Sequence, residues 1–406
     1  MVDKKEHLHG LEVLRFLLGV YIIIYHTFHF PELNDFINRT ISMGFIGSST
    51  FFILSGFILS YVYLKGNGTD VVHLKETPKS FFSKRFANLY PIHIFSLLLA
   101  IGIIWLVAWL NIQPNDFKTS NRFVMYDSNN YSPGNLLAHM MTDWEVAGRF
   151  ILNIFLLQAW DPWFISFNAP SWSISVLLFM YLVFPYLAPK LSMVKRPFLA
   201  LLIINIIYLA FPVVFSLTGL FDKPFTGILN RNPIVRLPEF LAGIMLCNIY
   251  FHLKKKNFIL KNSYKIAMIF FIFISFAASI YLLKHPEIFT DKGNVSYYLL
   301  HTGLLLIPEC CLVYLFTTFN IKKPDNITLW KKLGGATLPM FALHLPLYML
   351  FLRIETLLVG SHPIWLYPVF VFLTILACVY FQEYIVVKTR KLILKLILKK
   401  DNEKIV

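Results

Sequence analysis

Apolar residues run in blocks near twenty residues long over most of this chain, separated by short polar connections that carry most of the charge. Such a block is long enough to cross a hydrocarbon core of about 30 Å. Ten spans follow, at 11–30, 42–63, 91–112, 170–189, 198–216, 235–253, 266–284, 297–318, 335–353 and 364–386. They are continuous rather than alternating, which excludes a β-barrel built from strands of about ten residues. In lipid each span must satisfy its own backbone, so each is a helix. The expected fold is all-α: a polytopic membrane bundle of about ten helices.

Charge placement sets the orientation. The connections 64–90, 190–197, 254–265 and 319–334, with both tails, hold 26 of the 37 Lys and Arg residues. The opposite connections hold eight, counting Lys284, and Arg15, Arg236 and Arg353 lie in or at spans. By the positive-inside rule both termini are expected in the cytoplasm. The net charge of +15 therefore reads as topology and lipid-headgroup contact rather than nucleic-acid binding. Composition agrees: 57% of residues are hydrophobic and 15% charged, too few charges to cover a soluble protein of 406 residues. Cys247, Cys310, Cys311 and Cys378 all fall inside apolar runs without metal-ligand spacing and read as buried small hydrophobes. The first run has no small-residue cleavage site after it and is expected to stay as a span.

Two segments break the pattern. Residues 111–169 contain loop chemistry (Asn115-Asp116, Ser128-Asn129-Asn130, Ser132-Pro133-Gly134), then an apolar stretch at 150–157 too short to span. An interfacial or re-entrant helix on the extracytoplasmic side is expected there. Residues 388–404 form a basic amphipathic tail suited to anionic lipid. The domain reading is a membrane domain over 1–387 and a cytoplasmic tail over 388–406. The sequence carries no internal repeat.

Ionisable residues inside spans are costly and mark function by default. The first span holds Glu12, Arg15, His26 and His29. At about 100° per residue, Arg15 and His26 project from one helix face about 16 Å apart. Glu12 lies one turn before Arg15 and can neutralise it. A salt bridge with an interfacial imidazole and a catalytic pair both fit that face. The second span is rich in small residues (Gly44, Gly47, Ser48, Ser49, Ser55, Gly56), which suits close helix packing. Lys79, Lys84 and Arg85 precede Tyr90-Pro91 at the cytoplasmic mouth of the third span, where cations serve phosphate binding or topology equally. Trp172 and Ser173 open the fourth span, Arg236 and Glu239 the sixth, and His344 lies in the ninth.

Taken together these residues resemble the acyltransferase 3 family of bacterial membrane acyltransferases. The resemblance rests on Leu11-Glu12-Val13-Leu14-Arg15, on Tyr25-His26 after ten intervening residues, and on Phe51-Phe52-Ile53-Leu54-Ser55-Gly56-Phe57. It continues through Lys84-Arg85 with Tyr90-Pro91, Ser171-Trp172-Ser173-Ile174-Ser175-Val176 with Tyr181 and Pro185, then Arg236, Glu239-Phe240 and Gly243, and Leu343-His344 with Pro346. These motifs cover about 330 residues in the family's order. Two positions depart from it: Asn88 where the family commonly has a second Arg, and Leu177 where it commonly has Glu.

The resemblance implies transfer of an acyl group, usually acetyl from cytoplasmic acetyl-CoA, to a hydroxyl of a cell-surface or lipid-linked glycan such as a lipopolysaccharide or other polysaccharide. It places the chain in the bacterial inner membrane and requires no tightly bound cofactor. In that scheme His26 is the base, Arg15 holds the thioester or the phosphates of the donor and Glu12 orients Arg15. Arg85, Lys84 and Tyr90 serve the donor, and Trp172, Ser173, Glu239 and His344 the acceptor. A transporter or flippase of a glycan intermediate is the rival from another class, although such proteins often show duplicated halves. A protein- or lipid-modifying acyltransferase centred on His344 is a second, and a glycosyltransferase using Glu32 or Asp35 a third.

Overall fold

A computed structural model describes residues 7–28, 43–110, 123–125, 138–140, 142–162, 165–218, 220, 226–285, 298–319, 321 and 323–402. Nine helices among these are long and apolar enough to cross a membrane. They include α1 (His9–Thr27), α2 (Phe45–Tyr63) and α3 (Pro78–Trp109). After the short α4 (Asp143–Ile154) come α5 (Trp172–Ser192), α6 (Pro197–Thr218), the single-turn α7 (Thr226–Arg231), α8 (Pro233–Lys255) and α9 (Asn262–Lys284). The expected eighth span is a π-turn, Leu300–Leu304, running into α10 (Leu306–Thr317). Then follow the amphipathic α11 (Pro324–Gly335), α12 (Thr337–Val359), α13 (Tyr367–Tyr380) and α14 (Val387–Asn402). The only strands among the described residues form two small hairpins, Leu64–Lys65 with His73–Leu74 and Phe123–Met125 with Ala138–Met140. The chain is a polytopic membrane helical bundle.

Helix directions agree with the alternation read from charge. Gly334 lies against Glu12, Gly19 against Met340 and His26 against His344, so α1 and α12 run the same way. Ser49 meets Arg236, Gly56 meets Phe240 and Tyr61 meets Tyr250, so α2 and α8 are also parallel. The α2 helix runs against α1, since Gly44 packs on Tyr25 and Gly47 on Ile22.

The bundle is built around α2, of whose span 83% is buried, whereas α9 has 11% buried and faces the surroundings almost all round. The small residues of α2 explain its position. A Cβ on Gly56 would strike the Phe240 carbonyl, and one on Gly243 would strike the Ile53 carbonyl, so the two backbones touch only because both positions lack a side chain.

Two boundaries differ from expectation. The third span begins at Pro78 rather than 91, so Lys84, Arg85 and Tyr90-Pro91 ride on one continuous helix. Pro78 supplies a favoured first helical residue, and Pro91 leaves one carbonyl unpaired without ending the helix. At the other end, the helix passes from α13 through a π-turn (Phe381–Val386) into α14, so no break separates the tail from the last span. The α14 helix packs along α3.

The short helix expected near 150–157 is α4. It starts in a capping box, with the Glu145 amide donating to the Thr142 hydroxyl and the Thr142 amide to the Glu145 carboxylate at 2.8 Å. It ends where Leu156 turns left-handed (φ 57°), a conformation held by burial of that side chain and by the Ser175 hydroxyl donating to its carbonyl. The Asn153 carbonyl accepts from His93 Nε2 at 2.7 Å. His93 lies two turns beyond Arg85 along α3, so the last turn of α4 and the turns after it re-enter the bundle. They bury Asn153, Leu156, Ala159 and Asn168, while the rest of α4 stays largely exposed. The loop chemistry at 111–122 and 126–137, with His29, Glu32 and Asp35, lies outside the described residues.

Candidate active site

The α1 face is assembled as its spacing predicts. Arg15 Nη1 donates to Glu12 Oε2 at 3.1 Å, and both side chains keep some exposure, 27% and 18%. Toward the other end of α1, the His26 ring packs against His344 of α12, tilted by 37° with centroids 4.8 Å apart. That contact turns His26 into the bundle rather than toward lipid. His26 Nδ1 lies 3.1 Å from the Ile22 carbonyl and His344 Nδ1 2.7 Å from the Met340 carbonyl. A carbonyl oxygen only accepts, so each Nδ1 must carry its proton. In the neutral form each ring then has its lone pair on Nε2. His344 is wholly buried, and its Nε2 has no partner among the described residues.

The cationic end gathers separately. Lys84 pairs with Glu76, which also accepts from Ser80. Burial works to raise the Glu76 carboxyl, but the Lys84 ammonium and Ser80 hydroxyl outweigh it and hold the group below the usual carboxylate range. Arg85 donates to the Tyr63 hydroxyl at the end of α2, with its guanidinium 4.8 Å from that ring. Tyr90 stacks on Phe86, 4.8 Å between centroids.

The remaining predicted residues divide. Ser173 is buried and its hydroxyl donates to the Pro170 carbonyl at 2.9 Å, closing the turn into α5. Trp172 packs edge-on against Phe52, and the Arg236 guanidinium sits 5.7 Å from both rings. Glu239 is fully buried in an ionic cluster. It pairs with Arg236 at 2.9 Å and accepts from Tyr208 at 2.8 Å, while Arg236 also donates to Ser49 at 3.0 Å and to His301 Nδ1 at 2.8 Å. Glu309, 2% exposed, lies within reach of both charges. Ser49, Tyr208, His301 and Glu309 were not singled out as site residues in the sequence; Glu309 and His301 sit inside an apolar run and carry the signal that intramembrane ionisable residues always carry.

Asn168 was also missed, and the reason for its place is local. Pro346 has no N–H, so the Ala342 carbonyl one turn earlier loses its helical donor. Asn168 Nδ2 fills that vacancy at 2.8 Å, tying the re-entrant segment to α12 two residues before His344.

A family model described as an acyltransferase domain matches residues 8–383, from the start of α1 to just before α14. The chain belongs to the acyltransferase 3 family. The chain is also 29% identical over 147 residues to the acyltransferase MdmB of Streptomyces mycarofaciens, an alignment covering 36% of this chain and 28% of that protein. No solved structure matches it. The family match embraces both the α1 face and the Arg236 cluster.

Proposed function

We propose that this acyltransferase moves an acetyl group from cytoplasmic acetyl-CoA to a hydroxyl of a cell-surface or exported glycan, with His26 as general base. The observation that carries the reading is the His26 tautomer: its Nδ1 proton is committed to the Ile22 carbonyl, and its basic nitrogen belongs to a ring packed inside the bundle. A neutral imidazole of this kind can accept a hydroxyl proton near neutral pH.

The reaction runs in balanced steps. The glycan oxygen attacks the thioester carbonyl as its proton passes to His26 Nε2. The C–S bond then breaks, the acetyl ester forms, and the thiolate leaves to recover a proton from the imidazolium. Arg15, oriented by Glu12, holds the donor's phosphates or the start of its arm near its own end of α1, an extended pantetheine length from the reacting carbonyl. Arg85 and Lys84, with Tyr90 on the same helix, receive the phosphates of the donor. The distance of about 16 Å between Arg15 and His26 along α1 is one an extended pantetheine arm can bridge, so donor and acceptor can approach from opposite sides. The lysine and arginine bias supports a cytoplasmic position for the Arg15 end and both termini, and the family resemblance supports a bacterial inner membrane. Trp172 and His344 border the acceptor side; Ser173 and Glu239, buried and bonded within the protein, act on the acceptor through the neighbours they hold.

Mass spectrometry of surface glycans from cells carrying the wild type or His26→Ala tests this directly. The acetyl ester should be present with the wild type and absent with the variant at equal protein level. A glycan equally acetylated in both strains would refute the assignment.

A further inference from the structure

His344 keeps an acceptor that nothing in the resting protein fills. The ring is wholly buried, its Nδ1 proton goes to the Met340 carbonyl at 2.7 Å, and its Nε2 has no donor among the described residues. Beside it lies His26, with ring centroids 4.8 Å apart. We propose that His344 acts through His26. Once His26 has taken the acceptor's proton, its Nε2–H donates to the His344 Nε2 lone pair, and an imidazole pair holds the positive charge. The inference rests on the reading of His26 as general base.

The neutral and protonated rings differ in what they can offer. Neutral His26 has one N–H, on Nδ1, and directs it to the Ile22 carbonyl at 3.1 Å. None is left for His344. Protonation adds a second N–H, on Nε2. A buried acceptor without a donor is costly, and so is a buried cation without a partner. One N–H···N bond relieves both, and only in the charged state. An interaction made only then speeds the chemical step instead of tightening the resting complex. The atoms balance: the glycan O–H bond breaks, its proton rests on His26 Nε2 against His344, and the same proton then leaves for the thiolate. Both rings end neutral. Catalytic hydrogen bonds often close fully only in the reacting complex, so a tilt of 37° between the resting rings is compatible with this role.

Neighbouring hydroxyls do not fill the vacancy. Thr27 donates its one proton to the Ile23 carbonyl at 2.7 Å. Its contact with the Tyr367 hydroxyl at 2.9 Å must therefore be a donation from Tyr367, which commits that proton too. The backbone holds the two rings close. A Cβ on Gly19 would lie 2.7 Å from Met340 Sδ, so α1 meets α12 tightly at the residue whose carbonyl anchors His344. Asn168 braces α12 two residues before His344 by donating to the Ala342 carbonyl at 2.8 Å. The re-entrant segment thus steadies the helix that carries the second imidazole.

Solid-state NMR on the full chain in liposomes, with every histidine labelled by nitrogen-15, tests the bond without any acyl donor. At a pH that protonates one ring of the pair, a coupling across the hydrogen bond should join His26 Nε2 to His344 Nε2. It should vanish in His26→Gln and in His344→Gln. A His26 that becomes cationic without that coupling, or stays neutral down to the acid limit of the fold, would overturn the proposal. Rates give the second arm, measured with labelled acetyl-CoA and extracted glycan. His344→Leu should lower kcat about tenfold or more while both KM values hold, as expected for loss of one hydrogen bond to a charged group. His344→Gln, which restores an acceptor oxygen, should recover most of that loss. Unchanged kcat in His344→Leu, or a His344→Gln no faster than His344→Leu, would also overturn it. A wild type that shows the coupling yet never transfers an acetyl group would refute the proposed function and leave the imidazole pair standing.

Discussion

Two ion pairs in this bundle share a spacing and little else. Glu12 and Arg15 on α1, and Arg236 and Glu239 on α8, are each three residues apart and close at 3.1 and 2.9 Å. The first keeps 18% and 27% of its side-chain surface open, whereas the second keeps 1% and 0%. Around the second stand Ser49, Tyr208 and His301, all bonded inward. An exposed pair can exchange its partner for a ligand. A sealed one cannot without leaving a charge stranded, which is why buried pairs are strongly destabilised by removal of one member. The lesson is that spacing creates a pair and its surroundings assign its work.

The comparison can be broken most forcefully at Arg236. Arg236→Ala should destabilise the protein by about 3–5 kcal/mol, read as a lower thermal midpoint in detergent, while Arg236→Met combined with Glu239→Leu should recover most of that loss. Arg15→Ala should leave the midpoint nearly unchanged and remove transfer. If the two single variants behave alike, the distinction fails. Next in size, His26→Ala should cut the transfer rate about 10²–10⁴-fold at an unchanged midpoint, measured with labelled acetyl-CoA and extracted glycan.

Arg85→Ala should raise the KM for acetyl-CoA about tenfold with little change in kcat, as expected for loss of one charge-assisted contact to a phosphate. An unaltered KM would remove Arg85 from the donor site. The smallest effect belongs to Glu76. Its carboxyl is held below the usual range in the folded protein, so its contribution is present above that range and is lost as pH falls through the lowered value. Glu76→Gln should therefore lower stability slightly at neutral pH, flatten the acid limb of a stability-versus-pH curve and converge on the wild type at low pH.

Most of the fold was legible because lipid imposes a length on every span and allows no partial solution. The blocks at 198–216, 235–253 and 266–284 fall within α6, α8 and α9, and 170–189 covers α5 from the turn before it. The eighth block was placed but its π-turn was not, since nothing in Leu300–Leu304 departs from an ordinary apolar helix. The start of α3 was misplaced because Pro91 resembles a first-turn proline, and only packing reveals that the helix continues through it. The α1 face was readable from periodicity alone. What periodicity cannot supply is the partner on another helix, so the contact of His26 with His344 and the closure of Glu239 by Tyr208 emerged only in three dimensions. Asn168 is an intermediate case: Pro346 advertises a carbonyl in need of a donor without saying which residue will come.

The bare contact of α2 with α8 has a consequence for how this protein can vary. One added methyl at Gly56 or Gly243 would wedge apart the helices that carry Ser49 and Arg236. The disturbance would arrive at the ionic cluster as a torn hydrogen bond, at a distance from any surface a substrate could touch. Two of the smallest residues in the chain thereby act as calipers, setting the gauge to which the polar interior is cut.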